Sequence, residues 1–399
     1  MYPARQIAAP MNRTGAPPVR LCALPASGEI QAFDHPGQSV PAQLAQDWID
    51  LAADASEANV FAEHWFVAAA LATLGAGAEI SILEVRRGAG LIGVIPVSVV
   101  RDYGRNPVRF VQNWCHHQLF LGTPLVRSGE EPAFWTGVFD LLDAADWAPN
   151  FLHLRCIGAD GPVHRGLVAA AQARGRSAPI VHRESRAWLQ STLDAQAYYE
   201  QAVRPKKRKE IRRLRNRLGE LGRIEMRALE SAGVLDMWCD EFLALERAGW
   251  KGREGSALAC APPTAQFFRE LLGAAWQAGA LQFLRLDLDG RPIAMLVNLL
   301  SPPGSFSFKT AFDENYAQFS PGVLIQLENL KILERGDVAW MDSCASENHP
   351  MIDSLWRERR EVVRITIRLR GARRLMVFAA SRALEIAWRS LRRISGKAR

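Results

Sequence analysis

SFSFKTAFDENYAQFSPGVLIQLENL, residues 305–330, is the stretch from which the fold is read. Its first third, 305–313, reads as a strand, apolar and aromatic with Lys309 in its middle. Its last third opens a helix over 322–336, with Val323, Leu324, Leu327, Leu330 and Ile332 spaced to pack on a sheet. The junction between them is Ser320-Pro321-Gly322. Serine is a favoured N-cap, proline suits the first helical turn, and glycine leaves the mouth without a side chain. A helix start of this kind leaves backbone N–H groups free, backed by the positive end of the helix dipole, and can hold a phosphate or pyrophosphate. The plainer reading of the same residues is a cap on a core helix.

Outward from this stretch the chain repeats itself. Ahead of it lie a strand at 223–230, helices at 234–250 and 264–279, and a hairpin over 281–300 that turns at Asp289-Gly290. After it come a strand at 338–343, a short helix at 349–356 and a last strand at 361–369. The first half has the same order. Helices at 43–55 and 62–74 precede a hairpin (79–87 and 91–100), a strand region at 109–121, a helix at 132–145, a strand at 150–158, a helix at 163–175 and an extended segment at 179–190. We therefore expect an α/β protein with two similar domains, 41–190 and 223–370, each a mixed sheet flanked by helices. Residues 1–40 are expected to be a flexible leader, 191–222 a basic connecting helix, and 371–399 a basic amphipathic helix.

The chain has 399 residues and a formal charge of +7, which invites nucleic acid, an anionic membrane surface or a phosphate-bearing molecule as partner. The charge is concentrated. Residues 206–217 carry eight Lys/Arg against Glu210, and residues 368–399 carry ten against Glu385, which leaves the remaining 355 residues at −9. An acidic body with two basic segments argues against specific DNA binding. In the basic connecting helix the positions Ile211, Leu214, Leu218 and Leu221 form an apolar face, and Lys207, Arg208, Arg212 and Arg215 lie opposite it. That opposite face is either solvated or a seat for an anionic ligand such as a nucleotide tail. The tail helix can dock on its own domain, lie on an anionic membrane or bind a partner.

The six cysteines are scattered with no C-x-x-C pair, which fits a reducing, cytoplasmic setting, with the tail allowing peripheral contact at the inner membrane. No run of about 20 apolar residues is present to span a bilayer. His116-His117 has no further ligand at metal spacing, so no metal is expected. Polar residues cluster near the second-half strands: Trp250, Lys251, Lys309, Asp313, Tyr316, Asp342, Glu347 and His349. A lysine in the middle of an apolar strand must find a carboxylate, a ligand or solvent.

Five segments in order, KKRKEIRRLRNRLGELG, LERAGWKGREGSA, LDGRPIAMLVNLL, FKTAFDENYAQFSPGVLIQLENL and WMDSCASENHPMIDSLW, resemble the bacterial acyltransferases of the Gcn5-related (GNAT) superfamily found near cellulose and exopolysaccharide genes. In the first half ANVFAEHWF, GLIGVIPV and LGTPLV match the same pattern. The resemblance covers roughly residues 42–370, and a more distant one is to the Fem peptidyltransferases. It implies a tandem GNAT-like fold whose second domain takes acetyl-CoA or another acyl-CoA where two strands splay. The pyrophosphate would meet Ser320, Pro321, Gly322 and Val323. The superfamily's fuller glycine-rich loop is reduced here to Gly322, and its usual tyrosine is Phe312, so no catalytic hydroxyl stands at 312.

The implied reaction moves an acyl group from the thioester to an amine or hydroxyl of a small-molecule or saccharide acceptor. Asp313 or Glu347 is the expected base, Tyr316 the expected acid for the thiolate, and Lys309, Trp250 and Lys251 are expected to orient acceptor or cofactor. The first domain, a degenerate copy, is expected to shape the acceptor cleft. Two rivals remain: aminoacyl transfer from tRNA, as the Fem relatives perform, and a polymer-binding protein that kept the fold without chemistry.

Overall fold

A computed structural model describes residues 29–396 except 38 and 105. The first half contributes β1 (Ile30–Pro36), β2 (Ile80–Arg87), β3 (Gly90–Val100), β4 (Phe110–Asn113), β5 (Leu125–Val126), β6 (Phe151–Gly158) and β7 (Ile180–Leu189). The second contributes β8 (Ile224–Ala228), β9 (Leu281–Leu288), β10 (Arg291–Ser301), β11 (Gly304–Phe312), β12 (Trp340–Asp342) and β13 (Glu358–Arg368). All belong to one mixed sheet in the order β1-β2-β3-β4-β6-β13-β7-β12-β11-β10-β9-β8, with β5 beside β3. The α/β class is as expected. The two separate sheets are not found, because the halves exchange their last strands. β13 lies between β6 and β7, and β7 lies between β13 and β12.

A buried ion-pair knot fastens the exchange. Asp342 on β12 accepts hydrogen bonds from Arg186 of β7 at 2.6 Å and from Arg360 of β13 at 2.9 Å. Burial pushes the Asp342 carboxyl upward, but the two guanidiniums, Arg186 foremost, more than offset it and hold it below its ordinary range. Arg360 also lies 4.8 Å from the ring centre of Trp188, which stacks on Trp340 at 4.3 Å. Gly304 opposes Trp340 on the neighbouring strand. A β-carbon there would come within 2.2 Å of the indole, so only glycine admits this stack.

Helices cover both faces, and the core between the halves is shared. Phe61 of the first half packs 5.2 Å from Phe306 of the second, and Phe66 lies 5.7 Å from Phe267. The Asp289-Gly290 turn is as read, with both residues at positive φ (50° and 77°).

Three expectations need correction. The leader reading fails over Ile30–Pro36, which pairs with β2 as an edge strand; its part over 1–28 lies outside the described residues. The single connecting helix expected over 191–222 is two helices, Ala195–Ala202 and Pro205–Gly219. Pro205 lacks an N–H and forces Arg204 into extended backbone, which ends the first helix. On the second of these, Lys207 and Arg208 are half-buried rather than solvent-facing.

Candidate active site

β11 and β12 are parallel and pair only from Gly304–Phe306 with Trp340–Asp342. Beyond that, β11 runs on to Phe312, while the chain after Asp342 turns away at Cys344, whose φ is 53°. The wedge between them opens into a cavity of about 600 Å³. Its walls come from β11, the helix Pro321–Asn329, the loop after β12, the turn at Trp250-Lys251, and Phe120 from the first half.

A β-bulge aims the central lysine. Val297 pairs with Lys309, but the next residue, Asn298, pairs with Ser307, so Phe308 is an extra residue on β11. Strand residues alternate faces, and opposed residues share one. Without the bulge Lys309 would share a face with Ser307. With it, Lys309 shares the face of Phe306, toward the aromatic core between the halves. Its ammonium lies 5.4 Å from the ring centre of Phe120 and 5.5 Å from that of Phe308. Burial, reinforced by nearby Lys251, lowers its pKa to about 8. Lys251 is held by Glu246 at 2.7 Å, and Glu246 is buried with its other oxygen accepting from the Leu258 amide at 2.8 Å. Cys344, also at the wall, is a neutral thiol, because burial and then Asp342 raise it well above the ordinary cysteine value.

The Pro321 helix is built differently from the expected cap. Ser320 stands at its start in the left-handed region (φ 56°, ψ 52°), and its hydroxyl makes no cap bond. Its carbonyl instead accepts from the amides of Val323 at 2.9 Å and Leu324 at 3.2 Å. Proline has no N–H, so Gly322 is the first-turn amide without an acceptor among the described residues. A β-carbon on Gly322 would sit 3.3 Å from Met351 Sδ and 3.4 Å from Phe312 Cδ1. A side chain at 322 would have to push Met351 or Phe312 aside.

The predicted residues divide. Trp250, Lys251, Lys309, Ser320, Pro321, Gly322 and Val323 meet at the cavity. Asp313, Tyr316 and Glu347 are not among its lining residues. Asp313 caps the turn Glu314–Phe319, accepting from the Asn315 amide at 3.0 Å, and its other oxygen stands 3.7 Å from Arg291. Tyr316 packs against the core behind the helix. Glu347 accepts from the Ser185 amide at 3.2 Å on the surface. Sequence reasoning missed Phe120 and Cys344. The polar pair Asp342-Ser343 directly before it was a signal for the second; nothing local pointed to the first.

The same position in the first half is closed. Asn113 at the end of β4 bonds across the gap to the Arg155 carbonyl (3.0 Å) and the Arg155 amide (2.8 Å), and the Gly122 amide donates to the Cys156 carbonyl at 2.7 Å. Any side chain at 122 would strike the Arg155 carbonyl at 2.2 Å. His116 of the His116-His117 pair stacks on Phe66, and burial pushes its pKa down to about 3. Among the described residues no group of three or more His, Cys, Asp or Glu gathers as metal ligands would.

No curated protein matches the chain. Among solved structures, FemX is similar over 81% of this chain and 95% of its own, at 10% identity and a TM-score of 0.53. A tandem GNAT protein from the clavulanic acid biosynthesis pathway is similar over 86% of this chain and all of its own (100%), at 16% identity and a TM-score of 0.45. The first of these likenesses supports the fold. Residues 205–349 match the family model of the acetyltransferase (GNAT) domain, and that segment holds every second-half residue lining the cavity except Met351 and Ile352.

Proposed function

We propose that the second half transfers an acyl group from an acyl-CoA thioester to an amine or hydroxyl, with the first half closing one side of the acceptor cleft through Phe120. The observation that carries this is the cavity between splayed β11 and β12, with Lys309 inside it and the Pro321 helix at its rim. The match of 205–349 to an acetyltransferase domain supports acyl transfer as the chemistry.

In this reading the Gly322 amide meets the donor's pyrophosphate. The basic helix Pro205–Gly219 packs behind the same rim, with Arg217 5.8 Å from the Phe319 ring, and its exposed Arg212 and Arg215 suit the donor's nucleotide phosphates. Lys309 serves as the base. A pKa of about 8 leaves a substantial neutral fraction near physiological pH, able to take the acceptor's proton as it attacks the thioester carbonyl. That proton can pass to the departing thiolate, so Lys309 ends the cycle neutral. Lys251, fixed by Glu246, and Trp250 position the acceptor. The resemblance to acyltransferases near exopolysaccharide genes makes a saccharide amine or hydroxyl the acceptor class to try first.

The test is calorimetry with acetyl-CoA, followed by thiol release with amino sugars as acceptors, on wild type and Lys309→Met. Donor binding in both and turnover in wild type alone would support the proposal. Absence of binding at millimolar acetyl-CoA would overturn it. The exposed cations of the basic helix favour one other donor, aminoacyl-tRNA, which would show as co-purifying RNA with steep salt dependence.

A further inference from the structure

The last helix, Ala372–Gly396, is fixed to the first half by one face. Arg374 donates to the carbonyls of Asp143 (3.0 Å), Ala145 (3.2 Å) and Ala148 (2.7 Å). Phe378 is buried 6.0 Å from Phe151, and the Tyr103 hydroxyl donates to Glu385 at 2.9 Å. Arg382 is paired with Glu385. The charged residues Arg374, Arg382 and Glu385 are thus drawn to the inner side.

The outer side is what remains. Of the ten exposed residues between Ala372 and Ala387, nine are apolar, and Arg373 is the one charge. Leu375, Met376, Leu384 and Ile386 are 46%, 66%, 46% and 56% exposed. They are four of the twelve large apolar side chains found exposed among the described residues, gathered within twelve positions. A surface helix ordinarily shows the reverse pattern, polar outward and apolar inward. A face of this kind marks an interaction site.

We infer that this face docks on an anionic lipid bilayer, with the helix lying in the plane of the interface. The charge of the tail chooses the occupant. Residues 388–399 hold five Lys/Arg and no Asp or Glu. Two copies meeting through this face would bring two such cationic tails together, whereas an anionic headgroup surface neutralises them. No helix among the described residues is long and apolar enough to cross a membrane. The contact is peripheral, and the inner-face bonds hold the helix rigidly on the body, so docking carries the whole enzyme to the surface.

The test is co-sedimentation of the full chain with vesicles of mixed phosphatidylcholine and phosphatidylglycerol, and with phosphatidylcholine alone. Wild type should partition onto the anionic vesicles at least about tenfold more strongly than onto neutral ones, and less so in about 0.5 M salt. Met376→Glu with Ile386→Glu should lose binding by about tenfold or more, while Met376→Leu with Ile386→Leu keeps it. Turnover without vesicles should be the same in all three proteins, which separates failure here from failure of the proposed acyl transfer. Absence of binding to anionic vesicles, or equal binding by the glutamate variant, would overturn the inference. A soluble dimer that the glutamate variant splits, with no vesicle binding, would overturn it in favour of a second copy.

Discussion

Lys309 of the second half holds its ammonium 5.4 Å from the ring centre of Phe120 of the first, so both halves of the molecule take part in burying this cavity lysine. Its folded pKa of about 8 is depressed from 10.5. The catalytic rate should therefore rise with pH and level off above about 8, as the neutral amine becomes the dominant form. Lys309→Met should cut kcat by about 10²–10⁴-fold and abolish this rise.

The same residue should act on stability in the opposite sense. A lysine with a depressed folded pKa is bound to fewer protons in the folded than in the unfolded chain. Its cost is fully present below pH 8 and fades toward pH 10.5. Lys309→Met should raise the Tm at pH 7, with the gain shrinking above pH 9. Equal Tm values at both pH values would contradict the desolvation.

In the proposed reaction the Gly322 amide meets the donor's pyrophosphate. Gly322→Val should raise KM for acyl-CoA by about tenfold, a loss of about 1.4 kcal/mol, with kcat changed far less. Initial-rate kinetics at saturating acceptor would check it.

Asp342→Asn would leave Arg186 and Arg360 in the interior without their carboxylate. We expect a loss of about 3–5 kcal/mol in urea unfolding at pH 7. Because the folded pKa of Asp342 lies below the ordinary 3.8, its contribution is present above that value and lost as pH falls through the folded pKa. Wild type and variant should converge in strong acid.

Asp313→Ala and Tyr316→Phe should leave kcat within about twofold, since neither side chain lines the cavity. Asp313→Ala should still cost about 1 kcal/mol of stability through its lost cap. A loss of turnover in either would return it to the chemistry.

Local pattern made most of the elements legible. The Asp289-Gly290 hairpin, the strand ending at Phe312 and the helix beginning at Pro321 lie within a residue or two of their expected positions. These depend on periodicity and turn chemistry over short spans. What was not legible depends on pairings between distant residues. The slot for β13 between β6 and β7 is held by its ladders with both strands and by Arg186, which meets Asp342 from 156 residues away. The bulge at Phe308 is hard to read from the chain because the break in alternation after SFSF, at Lys309-Thr310, looks the same whether a strand bulges or nears its end, so the face taken by Lys309 could not be read. Asp313 and Tyr316 invite a catalytic reading because they stand beside the strand end, where polar residues serve a turn just as well as a reaction.

The crossing of β7 and β13 has a consequence for how this chain can be taken apart. A fragment cut at the linker would keep a sheet with a missing rung: the first half would lack β13 between β6 and β7, and the second would lose β7 as the neighbour of β12. Each piece would expose bare strand edges, the form in which chains aggregate. Whatever ancestry the repeat records, its two copies are no longer interchangeable parts. Unfolding should be one event rather than two, and the two pieces, if they recover the fold at all, should do so only when mixed.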